Sequence, residues 1–340
     1  MATLKGQNVR ICIFDSTAEK YKVIGMSTGC TITLTNNTES SSHKDIVGMA
    51  DMPQVTSKSW QVSVDSLNVA DTAAILTAIK AMQPMTLMWD ETSTTDNQTR
   101  EKATWSRKGQ AYLNDCTFQF DNRTNSTKQL QFSGTGPLET VGSSEATQVI
   151  PIGSYTKGET VRLFLSSDNT SAPSSVVAAA RSLSMHVSVS LEDSTTKDTT
   201  GAWVYQEPTA LSYDISSGAL VRSGETITSQ VGAKTYADIQ SLYEAGTPFK
   251  WKIANVSGDN NRTASSTIVS GSIFFEVLDI SVDTRSCGQV DREVKVRAAH
   301  REHLPEISVD HRFVIHNDIL PYFLAAASFL ASLVACSCSI

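Results

Sequence analysis

The feature that most constrains this chain is that it repeats itself at the length of a domain. KGQNVR at residues 5–10 returns as KGETVR at 157–162, and ESSSHKDIVG at 39–48 returns as EDSTTKDTTG at 192–201, with Lys-Asp and Gly in register. SWQVSVDSL (59–67) aligns with SYDISSGAL (212–220), and after one insertion KQLQFS (128–133) aligns with REVKVR (292–297). Four matches in one order at nearly constant spacing indicate a duplication, and a period of about 150 residues is far longer than any solenoid repeat. At 340 residues the chain has room for two cores. The expected copies are residues 1–139 and 155–298, with the Gly/Ser/Thr-containing segment 140–154 as linker.

Each copy follows one coarse plan. A first strand alternates Val9, Ile11, Ile13, or Val161, Leu163, Leu165, which puts one apolar row on one face. A second strand carries Ile32 and Leu34, or Leu183, Met185, Val187 and Val189. A long polar stretch follows, 36–52 or 192–208, and then a strand opened by a large aromatic, Trp60 or Tyr213, expected to anchor the core. One short helix comes next. Asp71 precedes a stripe of Ala74, Ile75, Ala78, Ile79 and Met82; Thr235 precedes Ile239, Leu242 and Tyr243, with Gly246 and Pro248 closing it. Period two resumes at Met85, Leu87, Trp89 and at Phe249, Trp251, Ile253. The last strands hold Cys116, Phe118, Phe120 with Leu130, Phe132, against Ile280, Val282 with Val294, Val296. Many short alternating strands with one helix per copy read as a mainly β chain: two tandem β-sandwich or barrel domains, each flanked by one short α-helix.

The chemistry-bearing residues form no recognisable site. No nucleophile elbow, P-loop, dinucleotide fingerprint or zinc-ligand spacing occurs. His43 lies in a polar loop and His186 among apolar strand neighbours, where a structural role is expected. His300 and His303 form an H-x-x-H without nearby Cys or a carboxylate pattern, a weak metal signal. Carboxylates are scattered, with no acid/base couple. Cys12, Cys30, Cys116 and Cys287 share no spacing and read as small buried apolar residues in a reducing compartment. The N-terminus lacks the apolar core of a secretory signal, so the seven Asn-x-Ser/Thr sites, beginning at Asn36, Asn97, Asn122, Asn125, Asn169, Asn255 and Asn261, read as chance in a Ser/Thr/Asn-rich chain. A formal charge of −7 argues against a surface built to hold nucleic acid. No enzyme activity, cofactor or metal is expected.

KGQNVR, an alternating strand ending in LTNNTE, a polar loop with Lys44-Asp45, VTSKSWQVSVDSL, one helix and a closing FSGTGPL follow an order that resembles the siphophage major tail proteins, the tail tube subunits. The resemblance is closest over 4–138. The second copy departs from it: TSKSW becomes PTALSY and GTGPL becomes RAAHR. What the resemblance implies is a tail-tube β-sandwich that joins edge to edge into rings, which stack into a conduit for DNA in the virion tail after assembly in the host cytoplasm. Rings of that family are six-fold, so two tube domains per chain imply pseudo-hexameric rings of three chains. It further implies assembly loops at Ser41, Ser42, Lys44 and Asp45 and at Thr195, Thr196, Lys197 and Asp198, and a tape-measure protein and a tail terminator as partners. DNA would pass without specific binding along an acidic or neutral lumen, and no stable membrane partner is expected. A related secretion-system tube or baseplate component, or a non-enzymatic β-sandwich binding module, are the alternatives.

Residues 299–340 change character. Residues 319–340, ILPYFLAAASFLASLVACSCSI, are nearly uncharged and long enough to cross a bilayer, and Ser337 occupies the position where a prenyl site needs Cys. The repeat pattern stops near Arg297 while the first copy continues with GTGPL. The expectation is a frameshifted or mis-assigned terminus, with a membrane anchor as the competing reading.

Overall fold

In a computed structural model, the described residues are 6–16, 19–41, 52–67, 72–92, 100–101, 105–142, 147–148, 156–177, 180–199, 201–221, 233–234, 236–257, 263–283 and 291–303. The chain is mainly β with two short helices, and its two sheets are antiparallel apart from two-residue parallel pairings. Met1–His303 forms one compact unit.

The first half opens with a 3-10 turn, Gly6–Asn8, and β1 (Val9–Asp15), followed by β2 (Lys20–Val23), β3 (Ser27–Ser40), β4 (Pro53–Ser66), α1 (Thr72–Ala81), β5 (Met85–Thr92), β6 (Arg100–Glu101), β7 (Arg107–Gln119), β8 (Thr127–Thr140) and β9 (Thr147–Gln148). In the second half a 3-10 turn, Gly158–Thr160, leads to β10 (Val161–Leu165), β11 (Ser175–Val177), β12 (Ala180–Asp193), β13 (Gln206–Val221), β14 (Ala233–Lys234), α2 (Tyr236–Ala245), β15 (Phe249–Ser257), β16 (Thr263–Asp283) and β17 (Asp291–His303). Among the described residues the second half repeats the order of the first except for its extra β14 and for β6 and β9, which have no counterpart.

The pairings repeat as well. The first half runs β2-β1-β5-β7-β8-β4-β3, and the second runs β11-β10-β15-β16-β17-β13-β12. Registers agree residue by residue. Ile11 faces Trp89 as Leu163 faces Ile253, and Leu87 faces Gly109 as Trp251 faces Gly271. Leu34 faces Trp60 as Val187 faces Tyr213. Even the irregularities recur: bulges at Ser27/Gly29, Asn37/Thr38 and Leu113/Asp115 return at Ala180/Ser182, Ser190/Leu191 and Phe275/Val277. Bulges re-aim a strand and set its local twist, so three shared bulges mean shared curvature.

The helices end alike. Met82, with φ +47°, and Gly246, with φ +59°, take the left-handed residue that closes a helix, and their amides donate to Ile79 O at 3.0 Å and Tyr243 O at 3.1 Å. The capping residues read from the sequence, Asp71 and Thr235, lie outside the described residues. Trp60 is 1% exposed and Tyr213 9%. Each packs near a second aromatic, Trp60 edge-on to Trp89 at 5.7 Å and Tyr213 tilted against Trp251 at 5.9 Å between ring centroids. Trp60 also needs its glycines: a Cβ on Gly134 would stand 2.1 Å from the indole.

Several sequence expectations are corrected. The strand holding Ile32 and Leu34 is the third, since a short β2 (and β11) precedes it. The polar stretches 36–52 and 192–208 are strand only at their ends: β3 reaches Ser40 and β4 begins at Pro53, while β12 reaches Asp193 and β13 begins at Gln206. A ribbon exposed on both faces needs no apolar row, so its Thr, Ser and Asn positions lack alternation. KQLQFS does not align with REVKVR; the register sets Leu130, opposite Cys116, against Val296, opposite Leu278, two residues further on. The repeat does not stop near Arg297, because β17 stays paired with β13 as far as His303. Within the expected linker, Val141 is buried and β9 pairs in parallel with β2, so the segment is bound to the first half along part of its length. Residues 304–340 lie outside the described residues; among the described ones, no helix is long and apolar enough to cross a membrane.

Candidate assembly interface

The outer edge of β12 does not stay open. It pairs antiparallel with β7 of the first half, with Ser184, Met185, His186, Val187 and Ser188 opposite Gln119, Phe118, Thr117, Cys116 and Asp115. One sheet therefore runs β3-β4-β8-β7-β12-β13-β17-β16 across both halves. The ladder extends at its end: Phe120 N donates to Leu183 O at 2.8 Å, and Asn122 N to Arg181 O at 2.9 Å.

The two faces of this junction differ chemically. On the inner face Met185, Val187, Cys116 and Phe118 are each 4% exposed or less, and Leu76 of α1 lines a small cavity with Met185, Val187, Tyr213 and Trp251. Burial pushes the Cys116 thiol well above its ordinary pKa, which keeps it an inert apolar filler. On the outer face the His186 imidazole hydrogen-bonds Asp115 Oδ2 from Nε2 at 2.6 Å, and its Nδ1 stands 3.7 Å from Asp214 Oδ2. The histidine thus ties the junction strand to β7 by a hydrogen bond and stands beside a carboxylate of β13.

The β12–β13 connection adds a second contact. It is closed by Ser194 N donating to Tyr205 O at 2.9 Å, just as Ser41 N donates to Met52 O at 2.9 Å in the first half. Thr195 N donates to Asp193 Oδ1 at 2.8 Å, and the Thr195 bonds hold that carboxyl below its usual pKa. Thr196 N donates to Thr199 Oγ1 at 3.0 Å, while Lys197 and Asp198 are exposed at the tip. The residues that touch the first half come later in the connection. Lys58 N donates to Ala202 O at 2.6 Å, Val204 N to Lys58 O at 3.0 Å, and the Lys58 ammonium lies 5.9 Å from the centroid of the Trp203 ring. Beyond it, Ser133 Oγ donates to Gln206 Oε1 at 2.6 Å and Gly136 N to Val204 O at 2.8 Å. The sequence signal for these was the run AWVY at 202–205, the apolar part of an otherwise polar stretch.

A third contact sits at the second 3-10 turn. Gly158 N donates to Thr124 O at 2.9 Å and Ser126 N to Thr156 O at 2.9 Å. A Cβ at Gly158 would fall 2.2 Å from Asp121 O, so only glycine allows this approach.

No protein-family model matches the chain, and no curated protein sequence matches it.

The corresponding surface of the first half is open. Among the described residues, β3 pairs with β4 alone, and residues 277–281 of β16 pair with β17 alone. Leu34, the counterpart of buried Val187, is 63% exposed, and Met52 and Val55 on the same hairpin are 51% and 42% exposed. Of the expected first-copy loop residues only Ser41 is described, and it is exposed, with its hydroxyl donating to Met52 O at 2.7 Å. Ser42, Lys44 and Asp45 lie outside the described residues. Elsewhere, no group of three His, Cys, Asp or Glu side chains among the described residues is placed to hold a metal ion. A cleft beside β1 is lined mostly by apolar side chains such as Ile13, Phe14 and Ile75, and brings Asp15, Ser16, Lys22 and Lys128 to its wall.

Proposed function

We propose that this chain is a structural, non-enzymatic virion protein: a tail tube subunit with two tandem tube-type β-sandwich domains, assembling into stacked rings that form the conduit for DNA. The observation that carries the reading is the β7–β12 junction. It is a head-to-tail contact between two topologically equivalent units, and a heterologous contact of this kind closes into a ring when its rotation allows. The motif order of residues 4–138, read above as resembling tail tube subunits, supports the same conclusion. Each chain supplies two ring positions, so three chains make a pseudo-hexameric ring. The rings stack through the β3–β4 and β12–β13 connections. A tape-measure protein inside the tube and a tail terminator at its end are the partners, and the tail of the virion is its final location, with assembly in the host cytoplasm.

The balance of 35 Asp and Glu against 28 Lys and Arg suits a lumen that DNA slides past, because gripping phosphates would require a basic surface. Electron microscopy of the purified chain tests the reading. The expected result is tubes of stacked rings, with a single-ring mass of three chains and no micromolar affinity for duplex DNA at physiological salt. Six chains per ring, with residues 155–297 projecting outward, overturns the three-chain arrangement. A chain that stays monomeric under all assembly conditions overturns the tube.

A further inference from the structure

We infer that the chain carries, in its own β7–β12 junction, the template of its contact with the next copy: β3 of one chain pairs antiparallel with residues 277–281 of β16 in another. This deepens the assembly proposed above and rests on self-association, though not on any particular ring size.

The derivation needs only the internal registers. Opposite Trp60 and Tyr213, the fourth and thirteenth strands place Leu34 where Val187 stands. The shared bulges place Cys116 of β7 where Leu278 of β16 stands, since each lies just beyond the irregularity and opposite Leu130 or Val296. Transferring the β7–β12 pairs then sets Thr31, Ile32, Thr33, Leu34 and Thr35 opposite Ser281, Ile280, Asp279, Leu278 and Val277. At the register positions that make the inner face of the internal junction, the transfer places Ile32 with Ile280 and Leu34 with Leu278, and aliphatic residues directly across an antiparallel ladder are stabilising. Within the chain the same positions hold Met185 with Phe118 and Val187 with Cys116.

Three independent observations point to a second copy as the occupant. First, both edges are open among the described residues, and they are the two edges left over when one head-to-tail junction has formed. Second, β3 carries none of the usual protection of a free edge. Over Ser27–Thr38 it has no Lys, Arg, Asp, Glu or Pro, and it is rich in Thr. Third, five large apolar side chains are exposed among the described residues: Phe14, Leu34, Met52, Val55 and Tyr243. Leu34, Met52 and Val55 are on the β3–β4 hairpin, and Tyr243 is on α2, the counterpart of the helix whose Leu76 faces the internal junction. Four of these five, all but Phe14 on β1, therefore lie on the β3–β4 hairpin and α2, the elements at the inferred contact.

The register positions that correspond to the outer face of the internal junction carry one charged residue, Asp279. Thr33 replaces His186, Val277 replaces Asp115, and Gln61 replaces Asp214. The two junctions share their backbone geometry and differ in the imidazole–carboxylate clasp.

The test uses the full chain with Cys30, Cys287, Cys336 and Cys338 changed to Ser. Thr33→Cys with Asp279→Cys should give, on mild oxidation, a ladder of covalent oligomers on a non-reducing gel. Thr117→Cys with His186→Cys is the internal reference, expected to form the equivalent bond within one chain. Slipping the register by one residue, Thr33→Cys with Ile280→Cys, should lose the ladder, because a one-residue slip turns a side chain to the opposite face. Leu34→Asp should abolish oligomers, read as mass in solution, while leaving the melting transition in place. Oligomers that form without the Thr33–Asp279 ladder overturn this register and leave self-assembly standing. Covalent dimers from Thr33→Cys alone indicate β3 pairing with β3 and also overturn it. Absence of oligomers in the parent chain under all conditions overturns both the register and the assembly reading.

Discussion

The β12–β13 hairpin and the β3–β4 hairpin are one structure in two situations. They share register, two bulges and a closing hydrogen bond, yet Val187 is 3% exposed and Leu34 is 63% exposed. The difference lies in what stands beside each: β7 lies along β12, and no described strand lies along the outer edge of β3. Burial here is thus a property of the neighbour and not of the strand's own sequence, which is apolar at both positions.

The sharpest way to break the comparison is to place the same charge in both hairpins. Val187→Asp puts an unpaired carboxylate into the inner face of the internal junction, and a loss of more than about 3 kcal/mol in chemical denaturation is expected. Leu34→Asp should change the stability of the isolated chain by no more than about 0.5 kcal/mol. Equal losses for the two would mean that β3 is already covered in the single chain.

The aromatic anchors extend the comparison into the cores. Trp60→Ala should cost about 3–5 kcal/mol, as removal of a large buried side chain does. Gly134→Ala, whose methyl would meet the same indole, should cost about 1–3 kcal/mol through overpacking. Rescue of Gly134→Ala by Trp60→Tyr, the residue type of the second half, would show that the glycine serves the indole's width. Its failure would place the strain in the β8 backbone.

His186→Leu removes the clasp that the open edge lacks. A loss of about 1 kcal/mol is expected, since Asp115 keeps access to water once its hydrogen bond is gone. Leu34 and Thr33 should be indifferent to the change. A destabilisation as large as that of Val187→Asp would mean that the outer face, and not the apolar inner one, holds the halves together.

The smallest expected effect concerns acid. Asp168 accepts hydrogen bonds from Thr170 and Ser171, through side chains and amides, which hold its carboxyl far below the ordinary carboxylate range. Asp193 is lowered in the same way by Thr195. A depressed pKa in the fold contributes stability above the unfolded value of about 4, and that contribution is lost as pH falls through the folded value. Both groups are exposed, so a slight fall in melting temperature below about pH 4 is expected, reduced in Asp168→Asn.

Much of this architecture was legible because alternation and repetition report different things. KGQNVR and SWQVSVDSL fall in the structural register of their counterparts, ESSSHKDIVG does so over its described start, Glu39 and Ser40, and Trp60 and Tyr213 occupy equivalent core positions. The fourth, KQLQFS with REVKVR, is displaced by two residues, since a period of two is blind to an even slip. Short β2, with KYKV, offered too few residues to alternate, and the outer half of β3 is polar on both faces. The internal junction left no periodic signal. Alternation tells which face of β12 is apolar, not which strand lies at its edge. Trp203 and Gln206, the residues that bind the first half through the β12–β13 connection, stand just beyond the loop residues 195–198 that the sequence singled out.

The covalent path from β8 to β10 has a consequence for how errors would enter an assembly. If the proposed rings form, two positions would arrive on one polypeptide, and a closed ring of such chains would always have an even number of positions. A miscounted ring must gain or lose two places at once, which doubles the change in turn that each ladder has to absorb. Recurring bulges fix the curvature of those strands and resist that change. Duplication would then act as a proofreading device for circumference, built into the gene before any ring is closed.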